Sequence, residues 1–142
     1  MESCGCHEIL IGVESGSQKI LDNIRKQETV NDNRQAILMM KKAGIRSKVS
    51  VIVGLPGESW ETVEETRKLI EETQPDELDV GILQVYKGID IWKNPHNYEL
   101  TFSEPAFYKG RPGEYQCTVR TPYMTEKEIV SARELLANTL RK

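Results

Sequence analysis

Three short apolar runs alternate with helical patterns along this chain of 142 residues, and this alternation constrains its fold. The runs are EILIGV at residues 8–13, KVSVIVG at 48–54 and ELDVGILQVY at 77–86. The first two are nearly continuous in apolar side chains, as expected of parallel strands buried on both faces. The order strand, helix, helix, strand, helix, strand predicts an α/β fold with a parallel sheet and right-handed crossovers.

The segments between the strands carry helix-end signals. Helices are predicted at residues 17–24, 30–43 and 59–73. Thr29 and Asp32 have the spacing of a capping box at the start of the second helix, and Gly44 is placed to end it. Either Ser59 or Glu58 opens the third helix.

The sequence changes in character after residue 92. Prolines and aromatic residues are scattered over residues 94–122, and a hairpin is expected around residues 111–113. Thr125 and Glu128 predict a capping box for a terminal helix. Three parallel strands do not close a barrel, which needs about eight, so the sheet is either small and open or part of a larger domain. The predicted domains are residues 1–92, a partial (β/α) barrel with parallel strands, and residues 93–142, an irregular tail with a C-terminal helix.

Charge and hydropathy argue against two classes of partner. The net charge is −3 and the pI is near 5.5, whereas a nucleic-acid surface needs a basic excess. No apolar run approaches the roughly 20 residues of a membrane span. The first ten residues, MESCGCHEIL, lack the pattern of a signal peptide. We therefore expect a cytoplasmic protein that binds neither membrane nor nucleic acid.

Three cysteines, Cys4, Cys6 and Cys117, are too few and too unevenly spaced for a disulfide framework. Cys4, Cys6 and His7 could supply two or three ligands to a metal ion, but a closed site needs more. The alternative is that all three cysteines are reduced structural thiols. The prediction is that the chain has no metal site.

The loop GLPGE follows the second strand. Its glycines would let backbone N–H groups approach a ligand at the start of a helix. A phosphate is disfavoured because no lysine follows the second glycine. The helix also opens with carboxylates, which would repel a phosphate. A neutral or zwitterionic ligand, such as an adenosine or an amino acid, fits better, and the alternative is a tight connection with ordinary capping.

Polar side chains also follow the other two strands. Glu14, in GVESGS, is predicted at the carboxyl end of the first strand with Ser15 and Ser17 beside it. A carboxylate in that position can accept two hydroxyl hydrogen bonds, as from a ribose diol. The alternative is that Glu14 and Ser17 cap the next helix. Gln84 and Tyr86 are predicted to end the third strand, and their alternative role is edge and core packing.

Taken in order, the stretches GVESGS, AGI, GLPGE and YKGIDIW resemble the radical S-adenosylmethionine (SAM) superfamily. The resemblance covers residues 6–92, with Ile89 where threonine is frequent in the family. It is strongest to enzymes fused to a cobalamin-binding domain and to anaerobic porphyrin and methylthio-transfer enzymes. It implies that the chain corresponds to the carboxyl-terminal half of a radical SAM barrel.

The resemblance also implies roles for individual residues. Glu14 would bind the ribose hydroxyls with Ser15 beside it, and Lys26 or its neighbour Arg25 would reach the SAM carboxylate. The residues implied to line the adenine are Val53, Gly54, Leu55, Pro56, Gly57, Gln84 and Tyr86.

The implied activity belongs to a full-length parent, an oxidoreductase or transferase. Such an enzyme cleaves SAM reductively through a [4Fe–4S] cluster to start radical chemistry. The cysteine triplet C-x-x-x-C-x-x-C that holds the cluster does not occur in this sequence. We therefore expect this chain to be inactive alone, with no cofactor remaining bound to it.

The expected partners are the missing amino-terminal half of the barrel and, through the exposed sheet, a second copy of the chain. The alternative function is a non-catalytic half barrel that binds a ligand or a partner.

Overall fold

A computed structural model describes residues 5–103 and 116–140 of the chain. Its centre is a sheet of three parallel strands in the order β1-β2-β3. Two helices connect the first strand to the second, and one helix connects the second to the third. The predicted α/β fold with a parallel sheet is confirmed. The elements are β1 (Glu8–Glu14), α1 (Gln18–Asn23), α2 (Val30–Lys42), β2 (Arg46–Val53), α3 (Trp60–Thr73) and β3 (Glu77–Ile82).

Both predicted capping boxes are present. At the start of α2, the Thr29 side chain accepts a hydrogen bond from the backbone N–H of Asp32. The Asp32 side chain in turn accepts one from the backbone N–H of Thr29. The same exchange joins Thr125 and Glu128 at the terminal helix. The N-cap of α3 is Ser59 rather than Glu58. Each such cap stabilises its helix by about 1 kcal/mol, which explains why these boundaries are set locally.

The third strand is shorter than predicted. It ends at Ile82, and the N–H of Leu83 donates to the carbonyl of Val53 at 2.9 Å as the last bond between the two strands. No further pairing follows, since β2 itself ends at Val53. Gln84 and Tyr86 therefore lie in the loop beyond β3, and the prediction that they end the strand is wrong.

The helices cover one face of the sheet. The side chains of Val49, Val51 and Val53 point to this face and are fully buried. The terminal helix α5 (Glu126–Ala137) packs against β2 and β3 and contributes Ile129 to the same core. A buried isoleucine of this kind contributes roughly 1.5–3 kcal/mol. The end of the chain thus completes the core that the strands begin.

The other face of the sheet is open and more polar than expected. In β2, Lys48 and Ser50 alternate with the buried valines. Burial of this strand on both faces was predicted, and the structure does not show it. Leu10, at 60% exposure, is paired with Lys48, which lies 3.3 Å from the Glu77 carboxylate. Charged and small residues such as Lys48 and Ser50 occupy much of this face, so it displays few large apolar side chains.

The segment after β3 is largely irregular. It contains a short helix α4 (Asp90–Lys93), a 3₁₀ turn (Pro95–Tyr98) and two paired two-residue strands, β4 (Thr101–Phe102) and β5 (Val119–Arg120). The hairpin predicted around residues 111–113 lies outside the described residues. In the part of the chain that the structure describes, no helix combines the length and the apolar character that a membrane span requires.

Candidate functional site

Three loops meet at the carboxyl edge of the sheet because all three strands run in the same direction. They comprise residues 15–17 after β1, 54–57 after β2 and 83–88 after β3, and Glu14 ends β1 beside the first of them. This edge is where parallel α/β folds hold their ligands. We call it the mouth of the sheet.

Glu14 is the last residue of β1 and has an unusual backbone. The strand pairing shifts register between Gly12 and Glu14, and the φ angle of Glu14 is +62°. A positive φ is uncommon for a residue with a side chain. It turns the Glu14 carboxylate back over Gly12, where an added Cβ would lie only 2.6 Å from Oε1. The carboxylate remains partly exposed, at 26% of the side chain.

Lys26 lies against this carboxylate. Its Nζ is 3.5 Å from Oε1 of Glu14 and 3.4 Å from Oε2 of Glu28, and it donates to the carbonyl of Gly12. The structure therefore places Lys26 next to Glu14, the residue predicted to bind a ribose. All three of these contacts of Lys26 are made to residues of the same chain.

Arg25 points elsewhere. It is exposed and adopts a positive φ of +56°. Its charge acts on the cluster formed by Asp90 and Tyr98. Hydrogen bonds from Tyr98 and Asn94 hold the pKa of the Asp90 carboxyl below its usual range, with a smaller contribution from Arg25. Arg25 is thus the more accessible cation of the two that the resemblance proposed for the SAM carboxylate.

Ser15 faces the helices rather than the mouth. Its side chain is 2% exposed, and its Oγ lies 3.2 Å from Oγ1 of Thr66 in α3. The N–H of Gly16 donates to the same Thr66 oxygen at 2.9 Å. The N–H of Ser17 donates to the Ser15 hydroxyl at 3.1 Å. In this structure Ser15 therefore fastens the first loop to α3.

The second loop is held from within by Glu58, a role that the sequence did not reveal. Glu58 is 2% exposed, and its carboxylate accepts from the Thr62 hydroxyl and from the N–H groups of Gly54 and Leu55. Burial raises the pKa of Glu58 to about 7, although these hydrogen bonds oppose the rise. The Gly-Leu-Pro-Gly turn directly before Glu58 was the available signal, because its N–H groups require an acceptor.

The second loop is also fixed by its own backbone and by α1. Gly54 and Gly57 have φ angles of +87° and +86°, which only glycine adopts without strain. The residues from Val53 to Gly57 are all buried. Asn23, at the end of α1, donates to the carbonyl of Pro56 at 2.8 Å. The N–H groups of Gly54 and Leu55 already bond to Glu58, so any contact of the loop with adenine must use its other atoms.

The third loop contains one anchored and one exposed residue. Val85 is fully buried in the core, whereas Tyr86 is 58% exposed, and Gln84, directly before Val85, is half-buried. Tyr86 therefore presents an aromatic ring to the solvent near the mouth. Such a ring can stack on a planar ligand.

The thiols do not form a metal site in residues 5–103 and 116–140, where no three His, Cys, Asp or Glu side chains gather as a metal ion would require. Cys6 donates to the carbonyl of Glu8 at 3.7 Å. Burial raises the pKa of the half-buried Cys117 thiol. Cys4 lies outside the described residues.

The fold and the mouth are those of an α/β protein with a parallel sheet. A sequence model described as "Radical SAM superfamily" matches residues 1–70. The resemblance to the radical SAM superfamily that the sequence indicated is thus confirmed.

Two proteins are similar to this chain over part of its sequence. An uncharacterized methyltransferase of Pyrococcus horikoshii is 34% identical over 93 residues, which are 66% of this chain and 20% of that protein. The anaerobic magnesium-protoporphyrin IX monomethyl ester cyclase of Rubrivivax gelatinosus is 38% identical over 89 residues, or 63% and 16% of the two chains. The chain thus spans a fifth or less of the length of these relatives.

The fold is also similar to that of a solved structure, the radical SAM methyltransferase TsrM of Kitasatospora setae with cobalamin and a [4Fe–4S] cluster bound. The TM-score is 0.66 at 16% identity, over 92% of this chain and 32% of TsrM. At that identity the likeness shows the fold alone.

Proposed function

We propose that this chain forms the nucleoside-binding half of the SAM site in a radical SAM enzyme. The observation that carries the proposal is Glu14, whose partly exposed carboxylate lies at the mouth of the sheet within the stretch that matches the family. A carboxylate has about four acceptor positions, so pairing with Lys26 leaves room for two hydroxyl donors. The residues at the mouth therefore fit a ribose diol.

Other residues complete the proposed site. Arg25 is proposed to reach the carboxylate of the methionine part, and Tyr86 to contact the adenine. The further adenine-lining residues proposed are Val53, Gly54, Leu55, Pro56, Gly57 and Gln84. Ser15 is not part of the proposed site, because its hydroxyl is buried against Thr66.

The chemistry of the proposed parent enzyme depends on groups beyond this chain. SAM together with a [4Fe–4S] cluster would supply a carbon-centred radical that abstracts a hydrogen atom from the substrate. This chain would bind and orient the nucleoside and limit the access of water. The parent is proposed to be a transferase or an oxidoreductase, because the similar proteins include a methyltransferase and a cyclase.

Replacing Glu14 with glutamine is expected to weaken adenosine binding at least about tenfold, because charge-assisted hydrogen bonds contribute roughly 1.5–3 kcal/mol each. The variant keeps the shape of the side chain and removes its charge. The measurement is titration of the 142-residue chain with adenosine, followed through backbone amide NMR shifts, beside a thermal melt.

The matched control is Glu28→Gln, because Glu28 also pairs with Lys26 but is half exposed. This control should bind adenosine like the wild type. Equal binding by Glu14→Gln would refute the ribose role. A sharp fall in its melting temperature would show instead that Glu14 is a structural cap.

A second candidate is a non-catalytic half barrel that binds a ligand or a partner, and the lack of the C-x-x-x-C-x-x-C triplet in this sequence does not separate it from the first. Under either function we expect the chain alone to retain no stoichiometric iron after anaerobic reconstitution and desalting. The measurement is iron and sulfide analysis with an absorption spectrum. A stable [4Fe–4S] spectrum would contradict the expectation, since it would require a ligand set other than the triplet.

The open face and the free edge of β1 are proposed to bind the other half of the barrel or a second copy of the chain. The unpaired backbone groups of an edge strand support this proposal, since they form a template for further pairing.

A further inference from the structure

The second loop lies directly against the segment that precedes the terminal helix. A Cβ added at Gly54 would lie 3.1 Å from Cγ2 of Val119 and 3.3 Å from Cγ2 of Ile129. Both of these side chains are fully buried. Since buried side chains are closely packed, a shift of Val119 would be transmitted to the backbone at residue 54.

Thr121 joins the same segment to the second loop by hydrogen bonds. Its hydroxyl donates to the carbonyl of Glu58 at 2.8 Å. The same oxygen accepts from the N–H groups of Tyr123 at 3.2 Å and Met124 at 3.0 Å. Thr121 is buried. Because the Glu58 carboxylate bonds to the backbone of the second loop, the Thr121 hydroxyl acts on the loop through Glu58.

The segment at residues 119–124 also contacts α1, which itself holds the second loop. Nζ of Lys19 lies 5.2 Å from the centroid of the Tyr123 ring, within the range of a cation–π contact. Asn23, at the end of α1, donates to the carbonyl of Pro56 at 2.8 Å. Both α1 and residues 119–124 therefore fix the second loop at the mouth.

We propose that Thr121 and Val119 are positioning residues for the second loop, so that the segment before the terminal helix sets the affinity of the mouth for a nucleoside. This inference rests on the proposed function, in which residues 53–57 line the adenine. Thr121 lies 63 residues beyond Glu58 in the chain. Both proposed residues are buried behind the loop, so neither contacts the ligand. They fix the loop before the ligand arrives, which removes an ordering cost from binding.

The first measurement needs no ligand. The backbone amide NMR resonances of Gly54 and Leu55 are recorded in the 142-residue chain for the wild type, Thr121→Val and Thr121→Ser. Valine keeps the shape of threonine and removes the hydroxyl, whereas serine keeps the hydroxyl. We expect both resonances to move in Thr121→Val and to remain near their wild-type positions in Thr121→Ser. Unchanged resonances in Thr121→Val would overturn the proposal.

The second measurement is the dissociation constant for adenosine, obtained by NMR titration of the same variants. Thr121→Val is expected to weaken binding about fivefold, because the ligand must then order the loop itself. Thr121→Ser should bind adenosine like the wild type. A wild-type affinity in Thr121→Val would overturn the proposal, even if the resonances of the loop had moved.

The matched control is Thr73→Val, which separates positioning from general stability. Thr73 is also buried, and its hydroxyl donates to the carbonyl of Leu69 at 2.7 Å at the end of α3 that lies away from the mouth. This variant should lower the melting temperature but leave the dissociation constant for adenosine unchanged in folded protein. A loss of affinity equal to that of Thr121→Val would show that affinity follows general stability, and would overturn the positioning role.

Val119→Ala repeats the test without removing a hydrogen bond, and it decides the question if Thr121→Val does not fold. The loss of methyl groups over Gly54 should move the Gly54 resonance and weaken adenosine binding several-fold. Wild-type values for both quantities would overturn the proposal.

The outcomes distinguish this proposal from the function on which it rests. A wild type that binds no adenosine would refute the nucleoside site itself, and with it any control of its affinity. A wild type that binds adenosine, together with Thr121→Val and Val119→Ala variants that bind it equally well, would refute only the positioning roles.

Discussion

Replacing Gly16 with alanine is expected to lower the free energy of unfolding by about 3–5 kcal/mol. A Cβ at this position would lie 2.6 Å from Cα of Thr66 and 2.9 Å from the carbonyl oxygen of Glu65. Both are backbone atoms of α3, so no rotation of a side chain can relieve the contact. Overpacking of a close contact typically costs 1–3 kcal/mol, and the hydrogen bonds lost with it add to that cost.

Those hydrogen bonds explain why the expected effect is large. Thr66 Oγ1 accepts from the N–H of Gly16 at 2.9 Å, lies 3.2 Å from the Ser15 hydroxyl, and donates to the Thr62 carbonyl at 3.1 Å. All these groups are buried. If the first loop moves away from α3, its buried polar groups lose their partners at about 1–3 kcal/mol for each unsatisfied group.

Urea unfolding followed by far-UV circular dichroism measures the effect. Gly81→Ala is the control, because an added Cβ there makes only an ordinary contact, and it should change the stability by less than about 1 kcal/mol. A Gly16→Ala variant as stable as the control would mean that the first loop does not lie against α3. The variant should also disturb Glu14, since the same loop carries both residues.

Local spacing was sufficient to predict the order and type of the main elements. The capping boxes at Thr29 and Thr125 follow from residues three apart, and the parallel sheet follows from the order of strands and helices. The polar face of the sheet was also visible in principle, since Lys48 and Ser50 alternate with buried valines. The prediction treated residues 48–54 as a continuous apolar run and therefore missed this alternation.

The orientation of the side chains at the mouth could not be predicted in the same way. Glu14 and Ser15 are adjacent in sequence, yet one lies at the mouth and the other against α3. The difference arises from the register shift at the end of β1 and the positive φ of Glu14. Neither has a sequence signal, because glutamate is not a residue that favours a positive φ. The approach of Lys26, twelve residues further along, depends on the turn after α1.

Glu58 shows the same dependence on distant segments. Its carboxylate serves the loop directly before it, but its burial is completed from the far end of the chain. The hydroxyl of Thr121, just before α5, donates to the Glu58 carbonyl at 2.8 Å, and Val119 lies over Gly54. The sequence indicated Glu58 only as a possible first residue of the third helix, because the cover comes from a distant part of the chain.

The stability of the chain is expected to fall by about 3 kcal/mol as the pH rises from 5 to 8, because of Glu58. Burial raises the pKa of Glu58 from 4.5 to about 7, with a smaller contribution from the charge of Glu65. The folded state therefore binds more protons than the unfolded state between these two values. The stabilisation is fully present below pH 4.5 and is lost as the pH rises through 7, at about 1.4 kcal/mol for each pKa unit.

Other carboxylates act in the opposite direction at lower pH. Hydrogen bonds from the Ser47 backbone and hydroxyl lower the pKa of Asp76, and those from Thr125 lower the pKa of Glu128. Their contributions are present above the unfolded pKa values near 4 and are lost as the pH falls further. The maximum of stability is therefore expected near pH 5, and the interval from pH 5 to 8 isolates Glu58.

Glu58→Gln should abolish the decline between pH 5 and 8. At pH 5 the variant should be less stable than the wild type by about 1–3 kcal/mol, because its amide NH₂ cannot accept one of the bonds donated by Gly54, Leu55 and Thr62. At pH 8 the difference in stability between the variant and the wild type should be smaller, because glutamine carries no buried charge.

The measurement is the free energy of unfolding in urea at four pH values. Glu61→Gln is the control, because Glu61 is an exposed carboxylate in the first turn of the same helix. The control should keep the decline of the wild type. A wild type whose stability is constant from pH 5 to 8 would show that Glu58 is ionised in the folded chain throughout this range, and a Glu58→Gln variant that keeps the decline would show that another group causes it.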